Sequence, residues 1–188
     1  MVKEIFVKNM VCNRCIKVLK DELRQAGVKV IEIELGRIKL DLKDAIDTNK
    51  LNGILKENGF LLIDTPEQVL VEQVKIELIK LLQQLPLQLY ENLSVYLENK
   101  IGQDYSKISK IFSYTEQVTV EKYFIKLKIE KVKELIQIQQ YNFTEIGQQL
   151  DYSHINHLSG QFKNETGMSM SAYKSQYKNF RNSLDKIV

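Results

Sequence analysis

Residues 29–43 read KVIEIELGRIKLDLK, and their alternation of apolar and charged side chains decides the character of the first part of the chain. Side chains on a strand point to opposite faces in turn, so Ile31 and Ile33, then Ile38, Leu40 and Leu42, are expected on one face and the charges on the other. Gly36 separates the two runs, which predicts a hairpin closed by a two-residue turn. That turn sets Glu34 against Arg37 and Glu32 against Lys39, cross-strand pairs of opposite sign. Upstream, Lys3 to Lys8 centres on Ile5-Phe6-Val7, a short buried strand. Ile16, Leu19, Leu23 and Ala26 then recur at helical spacing until Gly27 stops them. Downstream, Leu51, Ile54 and Leu55 mark a second helix stopped by Gly59, and Phe60-Leu61-Leu62-Ile63 reads as a last strand.

The order over residues 1–65 is therefore βαββαβ, that of a ferredoxin-like split-βαβ sandwich. After Thr65-Pro66 the period changes to helical. Val71, Val74, Leu78 and Leu81 form one stripe that ends near Pro86, and a following helix runs near Leu89 to Asn99, closed by Gly102. Another spans Tyr105 to Tyr114. The longest helical pattern, 118–140, is apolar on two faces: Val120, Phe124 and Leu127 make one, Ile125, Ile129, Val132 and Ile136 the other. A helix buried on two sides usually joins two small packed modules. Short helices from Phe143 to Leu150 and from His154 to Glu165 follow, and the tail from Met168 is read as irregular at first and helical at its end. The fold class is α+β: a ferredoxin-like domain over 1–65, then an all-α domain over 66–188.

The composition, 44% hydrophobic with 8 Gly and 2 Pro in 188 residues, excludes collagen and low-complexity disorder. No apolar run is long enough to span a membrane, and MVKEIFVKNM lacks a signal-peptide core, so a cytoplasmic protein is expected. Lys and Arg number 27 against 24 Asp and Glu. A net charge of +3 does not by itself announce nucleic acid, which must be argued from pattern.

The only cysteines, Cys12 and Cys15, form a CxxC pair between the first strand and the first helix. In a reducing compartment two such thiols point to metal or redox chemistry before a structural disulfide. Cys15 falls in the opening turn of the helix, where the macrodipole favours thiolate and is expected to lower the thiol pKa. Two sulfurs suit Cu(I) better than four-coordinate zinc, and other soft ions fit the same pair. A redox pair and spectator thiols are the alternatives.

Met10-Val11-Cys12-Asn13-Arg14-Cys15, inside a βαββαβ order, resembles the heavy-metal-associated domain of copper chaperones and metal-transporting ATPases. The resemblance covers residues 1–65 and implies a metal held by Cys12 and Cys15, with Met10 packed beneath the loop. Asn58-Gly59-Phe60 matches the loop that approaches the metal site in that family. Asn9 stands where its motif usually has Gly, and Val11 where it usually has Thr.

In the helical half, Thr144 to Leu150, a turn at Asp151-Tyr152-Ser153 and His154 to Glu165 fit a helix-turn-helix with Ile146, Leu150, Leu158 and Phe162 inward. An upstream copy runs from Leu93 to Ile101, through Gly102-Gln103-Asp104, to a helix carrying Ile108, Ile111 and Phe112. Two such units joined by one long helix resemble the AraC/XylS-type DNA-binding domain. The match is specific over Ile146–Ser153 and His157–Tyr173 in the second unit, and Leu127–Ile136 resembles the family's linker helix. The resemblance covers about residues 70–178 and implies a transcription factor that inserts two recognition helices into successive major grooves of double-stranded DNA. By position it implies DNA contacts from Ser106, Lys107, Ser109 and Lys110 in the first unit. In the second unit it implies contacts from Ile155, Asn156, Ser159 and Gly160, with Lys163 on the same exposed face. Gly160 occupies a place where Arg is common, and Ser113-Tyr114-Thr115 a place where more basic residues often follow the Phe.

Other features read more plainly. His154 and His157 suit packing or a phosphate contact at the helix start better than metal. Tyr105, Tyr114, Tyr123, Tyr152 and Tyr173 suit core or cap packing, and Lys122, Lys126, Lys128, Lys131 and Lys133 a solvated face. No nucleophile–base pair, Gly-rich phosphate loop or paired carboxylates occurs, so an enzyme is not expected. The reading is a DNA-binding transcriptional regulator with a Cu(I)-sensing domain. Its rivals are a metallochaperone whose helical half binds a protein, and a regulator switched by a Cys12–Cys15 disulfide. Dimerisation is compatible with the sequence but not dictated by it.

Overall fold

The computed structural model describes residues 2–41, 48–176 and 181–187; Leu42 and Lys43, the last positions of the hairpin alternation, lie outside them. The chain is α+β and divides into two compact units, Met1–Ile76 and Glu77–Val188.

The first unit runs β1 (Val2–Lys8), α1 (Asn13–Gln25), β2 (Val30–Glu34), β3 (Arg37–Asp41), α2 (Thr48–Glu57) and β4 (Leu61–Ile63), followed by the opening turns of α3 (Pro66–Gln83). The strands make one antiparallel sheet in the order β2-β3-β1-β4. Glu34 pairs with Arg37 and Glu32 with Lys39, as the two-residue turn demands. Lys39 Nζ lies 2.6 Å from Glu32, and Arg37 reaches Glu34 at 2.9 Å and Glu4 at 3.0 Å, so the charged side chains link three strands. The hydrogen bond from Lys39 holds the Glu32 carboxyl below its usual range.

Ile31 does not share the core face. The β2–β3 register slips between Val30 and Glu32, so Val30 stands opposite Leu40 and Ile31 is left 50% exposed. A bulge adds one residue to a strand and turns the next side chain to the other face. Val30 packs against the core instead, beside Ile33. That core joins Ile5, Val7, Ile38 and Leu40 from the sheet to Leu19 and Leu23 from α1 and Leu51 and Leu55 from α2.

Helix α2 ends by a device that also places the next strand. Gly59 N–H donates to Lys56 O at 3.0 Å and Phe60 N–H to Leu55 O at 2.8 Å, with Gly59 at φ 80°. This is a Schellman cap, and its accompanying apolar contact is supplied by Leu55 and Phe60, both in the core. Phe60 therefore belongs to the cap and β4 begins one residue later than the apolar run suggests.

Gly36 is constrained twice. Its φ is 71°, and a Cβ built there would lie 2.3 Å from Ile76 Cδ1 on α3. The isoleucine tip can swing aside, but the left-handed backbone cannot be relieved. Gly36→Ala is expected to lower the unfolding free energy by about 1–2 kcal/mol, measured by urea titration.

Thr65 caps α3, accepting the Gln68 amide on Oγ1 at 3.3 Å, and Pro66 takes the first helical position, where its missing N–H costs nothing.

The second unit contains α4 (Leu93–Ile101), α5 (Tyr105–Glu116), α6 (Val120–Ile138), α7 (Phe143–Gln149), α8 (Ile155–Thr166) and α9 (Met170–Ser175), then a single 3₁₀ turn over Leu184–Lys186. Helix α4 starts at Leu93, not near Leu89, because Asn92 holds an extended N-cap conformation. The tail is helical sooner than expected: Ser169 Oγ accepts the Ala172 amide at 3.1 Å and starts α9. Helix α6 packs on α5 at one side and on α7, α8 and α9 at the other, which accounts for its two apolar faces. Ile125 is only half-buried, and Tyr123, on the face of Val120 and Phe124, is buried against Phe112.

The two sides repeat one another. Helices α5 and α8 have the same length, and each position of the second lies fifty residues after its counterpart in the first. Ile108 and Leu158, Phe112 and Phe162, and Tyr123 and Tyr173 are matched in this way, all of them buried. Phe112 meets Tyr123 at 5.5 Å between ring centroids, and Phe162 meets Tyr173 at 5.7 Å. The N-caps Thr119 and Ser169 obey the same spacing.

Candidate functional site

The thiol loop is built by the end of β1 and the start of α1. Asn9 turns the chain with φ 75°, a left-handed conformation that Asn tolerates better than most residues. Met10 is fully buried beneath the loop, within the core. Cys12 is the N-cap of α1, and its carbonyl accepts the Cys15 amide at 3.0 Å, so both sulfurs rise from one turn. They lie 3.4 Å apart, and both cysteines are free and half-buried. This spacing exceeds a disulfide bond of about 2.05 Å and is less than twice a metal–sulfur bond of about 2.3 Å. One cation can reach both. Among the described residues no three His, Cys, Asp or Glu side chains gather to hold a metal, so a metal at this loop would rest on the two sulfurs.

Asn58-Gly59-Phe60 lies beside the loop: Asn9 Nδ2 donates to Gly59 O at 3.2 Å, and Cys15 packs on the cluster containing Phe60.

The expected depression of the thiol pKa does not hold for Cys15. Burial pushes its thiol up, the hydrogen bond with Cys12 adds to this, and backbone hydrogen bonds at Val11 and Cys12 oppose it without prevailing. The helix terminus loses to desolvation because Cys15 faces the core side of its turn. A cation must therefore displace the Cys15 proton. Apparent Cu(I) affinity is expected to rise by about tenfold per pH unit from this proton alone near neutrality, measured by chelator competition corrected for the chelator's own protonation.

In the helical unit, Ile146, Leu150, Leu158 and Phe162 are all fully buried. Lys107, Lys110, Asn156 and Lys163 are exposed, as are Ser106 and Gly160, while Ser109, Ile155 and Ser159 are half-buried. The burial sequence from Tyr105 to Phe112 is the same as that from Ile155 to Phe162, so α5 and α8 present equivalent faces. A Cβ at Gly160 meets nothing within 4 Å, so packing does not require glycine there. Asn142 and Glu145 form a reciprocal capping box at the start of α7, with hydrogen bonds of 2.9 and 2.7 Å.

Of the lysines of α6 only Lys122 is exposed, so together they are not a solvated face. Lys133 is buried with Glu130 at 2.6 Å, Lys131 pairs with Glu134 at 2.8 Å, and Lys122 pairs with Glu165. Lys128 donates to Leu150 O at 3.0 Å and lies over the rings of Phe124 and Tyr152, at 5.2 and 4.8 Å. Burial lowers its pKa, while nearby Asp151 works the other way. Lys128 thus holds the turn between α7 and α8, a role that spacing along one helix cannot reveal. Arg181 and Asn182 bind Glu134 and Glu130, which explains why these acids and lysines are covered. Among the tyrosines Tyr114 departs from the packing expectation, being 83% exposed. His154 and His157 are both exposed, and His154 serves as the N-cap of α8 through its carbonyl.

Among the described residues no helix is long and apolar enough to cross a membrane. No protein-family model matches the chain, and no curated protein matches it significantly.

Proposed function

We propose that the chain is a sequence-specific DNA-binding transcriptional regulator of the cytoplasm, with a ferredoxin-like, heavy-metal-associated-type domain that senses Cu(I) through Cys12 and Cys15. The observation that carries the DNA half is the pair of equal helices, α5 and α8, with matched exposed faces on either side of α6. On this reading they are the recognition helices of two helix-turn-helix units. Lys107, Lys110 and Lys163 meet phosphates, and Asn156 meets a base edge; Ser106, Ser109, Ile155, Ser159 and Gly160 complete the two faces. The sulfur spacing of 3.4 Å supports the metal half.

The same spacing favours a second reading, in which oxidation joins Cys12 to Cys15 and the disulfide is the signal. Selection of binding sites from a random double-stranded DNA library by the full chain tests the proposal. Two short preferred elements about one helical turn apart are expected. Recovery of unselected sequence would remove the DNA half. Repeating the selection with Cu(I), and again with an oxidant under metal-free conditions, separates the two signals.

A further inference from the structure

Asn9 is held from three directions, and one of its partners lies outside the βαββαβ segment. Its side chain donates to Gly59 O at 3.2 Å, and its carbonyl faces the Cys15 thiol at 3.9 Å. Its own amide donates to Glu72 Oε1 on α3 at 3.1 Å. Glu72 is only 5% exposed, and a carboxyl is buried so deeply only when its hydrogen bonds repay the lost water. The same side chain lies under the hairpin turn, with its Cγ 3.7 Å from the Cβ position of Gly36.

From this we infer that Glu72 is a positioning residue for the thiol loop: it fixes the left-handed Asn9 peptide and thereby sets where the Cys15 sulfur stands. The Cys15 thiol faces the Asn9 carbonyl, and Glu72, on α3, accepts from the Asn9 amide in the preceding peptide group, so this residue is held on both sides of its Cα. Residues hydrogen-bonded to a metal ligand commonly change metal affinity by about 10- to 100-fold when removed; Glu72 acts one step further out, through Asn9. The inference rests on Cys12 and Cys15 being the reactive pair, and its thiol readout does not require that they bind metal.

The full chain should be compared with Glu72→Ala, Glu72→Gln and Val71→Ala. The readouts are the iodoacetamide alkylation rate of each cysteine, followed by mass spectrometry where every variant is fully folded, and Cu(I) affinity by chelator competition. Glu72→Ala is expected to change the Cys15 rate severalfold and to weaken Cu(I) binding by up to about tenfold, the low end of the range for groups bonded directly to a ligand. Glu72→Gln, which keeps an oxygen acceptor for the Asn9 amide, restores both toward wild type. Val71→Ala, which removes buried volume from the same helix, lowers thermal stability and leaves the Cys15 rate unchanged. Equal Cys15 rates in Glu72→Ala and wild type, or a rate that follows stability across all three variants, overturns the inference. A wild type that takes up no Cu(I) overturns the metal reading instead, and the alkylation rates still decide the role of Glu72.

Discussion

A chain carrying Cys12→Ser together with Cys15→Ser is expected to bind no Cu(I) in chelator competition, and to bind DNA as tightly as the metal-free wild type. Serine replaces a soft, ionisable sulfur with a hard hydroxyl that stays protonated, and Cu(I) has little affinity for it. With no third ligand at the loop among the described residues, nothing compensates. The fold should survive, because Met10, Leu19 and Leu23 beneath the loop are unchanged and Cys15 only edges that core, half-buried. Thermal melting of the double variant within a few degrees of wild type would show that lost metal binding is not lost structure. Retained stoichiometric binding would place the site elsewhere.

The second large effect is a divergence between two substitutions on equivalent helices. Lys107→Ala on α5 removes an exposed cation, and is expected to weaken binding to every sequence and to flatten the slope of log affinity against log salt by about one. Asn156→Ala on α8 removes an amide able to pair with adenine. It is expected to cost about 1–3 kcal/mol on the preferred site, little on random DNA, and to relax preference at one position. Fluorescence anisotropy on the selected site and on a scrambled one, at several salt concentrations, separates the two. Equal losses from both variants on both DNAs would mean that these faces are not recognition faces.

Much of the architecture was legible because local rules and tertiary packing agree. The turn at Gly36 forces the pairs Glu34–Arg37 and Glu32–Lys39, and the two apolar faces of α6 foretell its two sets of neighbours. Elsewhere long-range contacts decide. Alternation cannot show a bulge, so it predicts Ile31 inward, where the register slip leaves it exposed. Charge along one helix cannot show that Lys128 meets a carbonyl from another helix, or that the Lys133–Glu130 pair is buried. At the thiol loop, sequence placed both cysteines at a helix start but not the burial that raises the Cys15 pKa. Glu72 gives no signal in sequence at all: it lies sixty-three residues from Asn9, on a helix whose pattern reads as part of the next domain.

Communication between the two halves can be expressed only as a difference in DNA affinity between metal-loaded and metal-free protein. A metal bound equally well by the DNA-competent and incompetent states shifts nothing, however tightly it binds. The most direct measurement is a pair of anisotropy titrations of the selected DNA site with wild-type chain, one with a stoichiometric equivalent of Cu(I) and one with chelator, under reducing conditions. Curves displaced by about 5- to 150-fold are expected, the usual range of coupling between two sites, with superimposed curves for the double serine variant. Wild-type curves that overlay while Cu(I) is demonstrably bound would contradict that coupling.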